Sequence, residues 1–563
     1  MIKIPYGISD FARLVTEDYH LVDKTHYIAL LEQLDTSYHF FLRPRRFGKS
    51  LFVSMLRYYY GMEHQEAFGR LFGHLHIGQH PTPKANGYRV LYFEFSRIDT
   101  KTPESTLQGF LQQVRNGLLA FMNTYGLFSE AERQSILAQD RPATMLSLFF
   151  TWYEGVASTP IYLMIDEYDH FSNEILAFNF SSFSDMVSRN GFVRKFYESI
   201  KTATGSNLVE RLFVTGVTPI TLDSLTSGFN IRTDLSRDPR FNEMMGFTAQ
   251  EAEGVVGGVA QGRDLAPLMD DLKRWYNGYL FSEDAGKRLY NPDMVLYFAL
   301  HFKAAGKYPK SMLDHNIASD YGKIRGLFYL KSPEENFQVL DDLVQGREIT
   351  FEITPEFSFE RDFTQADFAS LLYYMGFLTL KEGGLISTLA VPNYVIWKLY
   401  IDFFSSEISK RNGLQFDRWN ATQAILALAQ QNDLGPIVEK MQETLKRLSV
   451  RDAIQFDEKH LKMVFIALIN LTNVYFIRSE TEVGKKYADV MLLARKPLAP
   501  NFQFAFEFKY VKKEDRAKAQ QALEEGKRQL RGYLSSEEWA KETNLKGYVV
   551  VFVYDEIFAV EPV

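Results

Sequence analysis

Apolar positions in roughly the first 245 residues alternate between short unbroken runs and stretches with helical spacing. Tyr38 to Leu42 is such a run, and Lys49 to Tyr60 follows with helical spacing. Arg89 to Phe95 reads as a strand and Glu104 to Tyr125 as a helix. Ile161 to Ile165 and Arg211 to Thr215 are further apolar runs of the buried kind. Strands alternating with helices in this way predict a largely parallel sheet covered on both faces.

The pattern changes near Gly246. Thr248-Ala-Gln-Glu251 is a capping box that opens a helix, and the chain reads as mainly helical from there to about Val450. Aromatic clusters interrupt it at Trp275-Tyr-Asn-Gly-Tyr279 and Leu371-Leu-Tyr-Tyr-Met-Gly-Phe377. Phe351 to Phe359 is less regular and reads as a linker or a hairpin. Beyond it, Lys459 to Leu471 is helical, and Val474–Thr481, Ala488–Leu493 and Phe502–Val511 read as strands. A charged amphipathic helix, Glu514 to Leu534, and a buried strand, Gly547 to Tyr554, complete a small α/β unit.

At 563 residues the chain is too long for one core. The aromatic share of 15%, with 47 Phe and 31 Tyr, supplies large cores. A net charge of −7 gives no global positive field, so a nucleic-acid surface would have to be local. The absence of cysteine excludes disulfides, thiolate zinc sites and cysteine nucleophiles. The histidines show no metal-ligand spacing. Met1-Ile-Lys-Ile-Pro5 opens no long apolar segment and no run reaches membrane-spanning length, so the expectation is a soluble, cytoplasmic protein without membrane contact.

The first candidate chemistry is Arg43-Pro-Arg-Arg-Phe-Gly-Lys-Ser50, the second half of a P-loop with Arg43 at the first glycine position. Such a loop needs backbone N–H groups around the phosphates, a lysine on them and a hydroxyl on Mg²⁺. Gly48, Lys49 and Ser50 supply the last part at a helix N-terminus. The second is Ile161-Tyr-Leu-Met-Ile-Asp166-Glu167, a buried run ending in carboxylates. In a P-loop fold Asp166 would hold Mg²⁺ and Glu167 would orient or activate the attacking water. ATP and Mg²⁺ are the expected cofactors. Arg45 and Arg46 contact phosphate, remain solvated, or pair with Asp10, Asp18 or Asp23.

The third is Asp489 with Glu507-Phe-Lys509. The strand Phe502 to Lys509 alternates, so Glu507 and Lys509 share a face, and Asp489 lies beside them if the strands pair. Two carboxylates and a lysine suit a hard cation and an attacking water. Any half-exposed strand shows the same alternation, and spacing alone leaves both readings open.

Arg43-Pro-Arg-Arg-Phe-Gly-Lys-Ser-Leu51 resembles the signature of the bacterial AAA-ATPase-like family, as do Tyr6-Gly-Ile, Val22-Asp-Lys24, Leu163 to Asp169, Gly216-Val-Thr-Pro219, Gly246-Phe-Thr248, Trp275 to Tyr279 and Tyr290-Asn-Pro292. Asp489 and Glu507-Phe-Lys509, within their helix-strand-strand-strand-helix-strand order, resemble the PD-(D/E)XK nuclease superfamily. The resemblance implies a multidomain α/β protein. Its parts would be an AAA-like P-loop αβα sandwich over 1–245, a helical lid over 246–345, a helical linker region over 346–450 and a restriction-endonuclease-like domain over 451–563. It implies that Arg45, Arg46, Phe47, Gly48, Lys49, Ser50, Leu51 and Asp166 meet the nucleotide, with Thr215 or Thr218 as a γ-phosphate sensor. Asp489 and Glu507 would ligate Mg²⁺, Lys509 would position water, and Glu458 and Gln529 would stand nearby. The family's Gly-Arg before the aspartate is replaced by Lys486-Tyr487, which Lys485 or Lys486 would have to offset. The implied function is an ATP-binding, ATP-hydrolysing protein that controls a Mg²⁺-dependent nuclease acting on DNA, with homo-oligomeric rings. The alternative is a nucleotide-switched regulator that grips nucleic acid or protein through an inactive nuclease fold.

Overall fold

The computed structural model describes residues 2–156, 159–171, 191–220, 231–314, 317, 324–330, 332–357, 363–381, 386–412, 418–449, 458–483, 486–498, 500–536, 539 and 544–563. The chain forms two compact units. One comprises Met1–Gly306, Asp314–Asn336 and Ile349–Asn393, the other Lys307–Leu313, Phe337–Glu348 and Tyr394–Val563.

The first unit is built on strands β1 (Tyr38–Leu42), β2 (Arg89–Glu94), β3 (Ile161–Asp166), β4 (Val209–Gly216) and β5 (Thr233–Asp234), in the order β2-β3-β4-β1-β5. Every neighbouring pair is parallel, so each connection is a crossover. The helices Lys49–Tyr60, Pro103–Thr124 and Phe192–Gly205 lie within those crossovers. All six residues of β3 are buried, because the sheet is covered on both faces there. Phe95 stacks on Phe110 of the Pro103–Thr124 helix with centroids 4.5 Å apart. That helix starts where Thr102 and Ser105 cap each other and Pro103 presets φ. The expected Thr248–Glu251 capping box is present and opens the helix Ala249–Gly257.

Sequence reading missed β5 and a small antiparallel sheet in the stretch expected to be helical. In it β6 (Ile349–Thr350), β7 (Thr379–Leu380) and β8 (Thr388–Ala390) lie in the order β6-β8-β7. Strands of two or three residues display too few positions to show a period of two. Residues 358 and 359 of the irregular segment lie outside the described residues.

In the second unit the helix Glu458–Asn470 precedes β9 (Tyr475–Val483), β10 (Lys486–Ala494) and β11 (Gln503–Val511), followed by the helix Ala519–Leu534 and β12 (Leu545–Val553). This is the expected order, with β13 (Glu556–Pro562) added at the edge, giving β13-β12-β11-β10-β9. β13 escaped notice because none of its residues is buried and it ends in a proline, which an edge tolerates. β11 runs parallel to β12 and antiparallel to β10. Phe465 covers one face of β11, 4.8 Å from Phe506 and 5.1 Å from Phe508. The helix Ala519–Leu534 covers the other: a Cβ on its Gly526 would sit 3.5 Å from Lys509 Cγ and 3.6 Å from Glu507 Cγ. The charged face of this strand is therefore packed, not half-exposed. Among the described residues, no helix is long and apolar enough to cross a membrane.

Candidate functional site

Parallel pairing brings the C-terminal ends of β1, β3 and β4 to one edge of the sheet, beside the point where strand order reverses. Residues 43–48 turn from β1 into the Lys49–Tyr60 helix at this edge. The positive φ angles of the turn belong to Arg46 (66°) and Gly48 (93°), not to Arg43. Position 43 therefore has no need of glycine. Arg43 is buried and points into the protein, its guanidinium 4.1 Å from the rings of both Phe41 and Phe281. It donates to the carbonyls of Leu42, Ser236, Phe241 and Asn242. Burial pushes its pKa down to about 9. Arg43, which stands at the first glycine position of the P-loop pattern, thus braces the loop from behind. Phe47 does the same, edge-on to Tyr279 at 5.0 Å and to Phe281 at 5.3 Å, so only its backbone is free for a ligand.

Arg46, Gly48, Lys49 and Ser50 line one cavity, whereas Pro44 is buried with Arg43. Lys49 Nζ donates to the carbonyls of Arg43 (3.0 Å) and Pro44 (3.1 Å). Arg46 pairs with Asp293 at 3.2 Å rather than with the N-terminal aspartates considered from sequence. Ser50 lies near enough to Asp166 to favour its ionised form. Asp166 ends β3, and burial together with the Glu167 charge raises its pKa to about 7 against the pull of Ser50 and Lys49. Glu167 sits at φ 53°, and its N–H donates to Asp166 Oδ1 at 2.9 Å. Burial pushes its pKa up, but His170, Lys49 and Arg45 outweigh it and leave Glu167 at about 2. His170 Nδ1 lies 3.6 Å from its carboxylate. Adjacent carboxylates driven apart in this way suit distinct roles, the ionised one as a base.

Thr215 and Thr218 are buried and already engaged. Thr215 Oγ1 donates to Phe41 O at 2.7 Å, fastening β4 to β1. Thr218 donates to Asp169, which also accepts the N–H groups of Val217 and Thr218. Gly216 is required there, since a Cβ would lie 2.2 Å from Asp169 Oδ1 and 2.4 Å from the Tyr168 ring.

A cavity of about 300 Å³ opens against Gly48, Lys49, Ser50, Leu51 and Glu167. Pro5, Phe11, Val22, Met244 and Phe247 form its apolar wall. Sequence reading gave these residues no site role. They come from separate segments, and scattered apolar positions carry no period that marks them as a lining.

In the second unit, Asp489 precedes Val490, which pairs with Phe506, so Asp489 stands beside Glu507. Its Oδ2 accepts the Phe508 N–H at 2.7 Å. Lys509 Nζ lies 2.9 Å from Glu507 and 3.3 Å from Glu458. Only 5% of Glu507 is exposed, and burial with the Asp489 charge raises its pKa to about 7 against Lys509. Burial also raises Glu458. Burial opposes the charge on Lys509, yet Glu507 and Glu458 raise its pKa. Gln529 is exposed on its helix, and the side chains of Lys485, Lys486 and Tyr487 lie outside the described residues.

Among the described residues, no group of three or more His, Asp or Glu side chains is arranged to hold a metal ion. Each candidate centre offers two protein oxygens, from Ser50 and Asp166 or from Asp489 and Glu507. Mg²⁺ fits such a donor set, because it keeps most of its waters and shares substrate oxygens.

A parallel sheet carrying this loop, and a mixed sheet carrying this acid pair and lysine, define two classes of domain. Residues 5–226 match the family described as "Predicted AAA-ATPase", and residues 456–561 match the PD-(D/E)XK nuclease superfamily. The chain thus carries an AAA-ATPase-like domain and a PD-(D/E)XK superfamily domain, a combination that fits a nucleotide-dependent, nuclease-linked protein. It is also 28% identical over 302 residues to a protein of Azotobacter chroococcum mcd 1 described as "Uncharacterized protein in vnfD 5'region". That similarity covers 53% of this chain and spans about half, 52%, of the relative's length.

Proposed function

We propose that the protein binds and hydrolyses ATP with Mg²⁺ at the P-loop, and that nucleotide state controls Mg²⁺-dependent cleavage of DNA at Asp489, Glu507 and Lys509. The nearness of the Ser50 hydroxyl to the strand-end Asp166, whose pKa it lowers, carries the reading. The loop hydroxyl and the strand-end carboxylate are the two groups that would hold Mg²⁺ with a bound triphosphate. In this scheme Lys49 leaves the Arg43 and Pro44 carbonyls for phosphate oxygens. Ser50 and Asp166 would hold Mg²⁺, which would supply charge neutralisation at the phosphates. Glu167, ionised and held by His170, takes the proton of the attacking water. Thr215 senses phosphate only by releasing Phe41 O.

In the nuclease-like domain, Asp489 and Glu507 would supply hard oxygens to Mg²⁺, and Lys509 would orient the water. The burial of this group supports catalysis, since exposed charges on a surface strand would need no such arrangement. Residues 1–245 act as the ATPase module, 246–345 as its lid, 346–450 as the linker and 451–563 as the nuclease-like module, in a cytoplasmic homo-oligomer. A second reading, an inactive nuclease fold that binds without cutting, draws on Lys509 already being neutralised by Glu507 and Glu458.

The test incubates the full chain with plasmid, linear DNA and RNA, with Mg²⁺ or Mn²⁺, with and without ATP, beside Lys49→Ala and Glu507→Ala. ATP-dependent DNA cleavage lost in both variants is expected. Cleavage that survives Glu507→Ala removes the site assignment, and cleavage indifferent to ATP removes the coupling. Binding without cleavage in every condition establishes the second reading.

A further inference from the structure

We propose that Asp293 competes with the terminal phosphate of a nucleoside triphosphate for Arg46, so that this ion pair makes the site read phosphate number. The proposal rests on the P-loop being the nucleotide site. Arg46 holds a left-handed φ of 66°, costly for a residue with a Cβ, so its side chain is kept there against backbone preference. Its Nη1 lies 3.2 Å from Asp293 Oδ2, and both residues line the cavity that Lys49 and Ser50 line.

Asp293 stands in the first turn of the helix Pro292–Ala305. Asn291 caps that helix, accepting from the N–H groups of Asp293 (3.0 Å) and Met294 (3.4 Å). The same Asn291 donates to Arg45 O at 3.5 Å. Loop and helix are therefore joined by a backbone contact at Arg45 and by opposite charges at Arg46. The positive end of the helix favours the Asp293 anion.

Two of the loop's cations, Lys49 and Arg46, differ in what holds them. Lys49 rests on neutral carbonyls and transfers to any phosphate that arrives. Arg46 rests on a carboxylate and transfers only to an anion that outcompetes it. Lys49 and the helix N-terminus behind it take the inner phosphates. Arg46, three residues earlier in the loop, takes the outermost one. A diphosphate leaves the Arg46–Asp293 pair closed. A triphosphate opens it and repels Asp293, loosening the Pro292–Ala305 helix from the loop at Arg46.

Calorimetric titration of the full chain with a non-hydrolysable ATP analogue and with ADP, in Mg²⁺, tests this. Asp293→Asn is expected to tighten the triphosphate analogue about fivefold or more and to leave ADP within about twofold. Arg46→Ala is expected to weaken the triphosphate analogue and to abolish the effect of Asp293→Asn in the double variant. If Asp293→Asn does not melt cooperatively, Asp293→Ser, which keeps a polar group in the helix's first turn, is read in the same way. An unchanged or weakened triphosphate affinity, an equal gain for ADP, or a gain that persists with Arg46→Ala overturns the proposal. Nucleotide binding lost in Lys49→Ala but indifferent to Asp293 removes only this proposal. Absence of nucleotide binding by the unsubstituted chain removes the underlying site as well.

Discussion

Lys49, which is buried, and Lys509, whose side chain is 13% exposed, each stand beside a strand-end or mid-strand carboxylate pair, but their settings differ. Lys49 sits on two neutral carbonyls of its own loop, next to a cavity of about 300 Å³. Lys509 sits between Glu507 and Glu458 under a packed helix. The first can exchange its partners for an anion without stranding a charge. The second cannot leave without uncovering a carboxylate, which in a buried setting is expensive. Entry of a cation at Asp489 and Glu507 is the natural way to release it. One site thus waits for an anion and the other for a cation.

The largest effect that would break this contrast is at the carboxylate site. Glu507→Gln should lower Mg²⁺-dependent cleavage by about a thousandfold or more while keeping the fold, since it removes a metal oxygen and a charge. Plasmid nicking read beside circular dichroism decides it. Next, Glu167→Gln should retain nucleotide affinity but cut ATP turnover by about 10² to 10⁴, the range for losing a general base. Phosphate release compared with calorimetric binding separates the two quantities. Gly216→Ala forces a Cβ into the Asp169 carboxylate and the Tyr168 ring, and should cost about 1–3 kcal/mol or more. Denaturant midpoints measure this.

The smallest effect is a pair of opposed pH dependences. Burial, then the Arg211 charge, lowers His39 in β1 to about 4 from 6.5. The unfolded chain binds that proton first, so stability is lost as pH falls below about 6.5, by about 1 kcal/mol between pH 7 and pH 5.5. His39→Gln should flatten that slope. Glu507 is raised from 4.5 to about 7, so without metal the folded chain binds its proton first and stability falls as pH rises through that window. Glu507→Gln should flatten a slope of the opposite sign. Urea midpoints of the three proteins across pH 5–8 compare them.

What could be read from the sequence follows from how far each signal reaches. Buried strands such as Ile161–Asp166 and the five-residue run at Tyr38–Leu42 announce themselves, because a parallel sheet demands continuous apolarity. Gly48, Lys49, Ser50 and Asp166 stand out because their chemistry needs fixed spacing on known elements. Residues that act through distant partners stayed silent. Arg43 looked like a defect in a glycine loop, and only the carbonyls of Ser236, Phe241 and Asn242 explain it. Asp293 pairs across 247 residues with Arg46. The burial of Glu507 depends on the Ala519–Leu534 helix, whose packing the alternation of one strand does not encode.

The brace behind the loop has a kinetic consequence. Arg43 and Phe47 fix the backbone between β1 and the Lys49–Tyr60 helix before any ligand arrives. A cradle ordered in advance loses little chain entropy on capture. Association should then be a single fast phase proportional to nucleotide concentration, and differences in affinity among nucleotides should reside in their residence times.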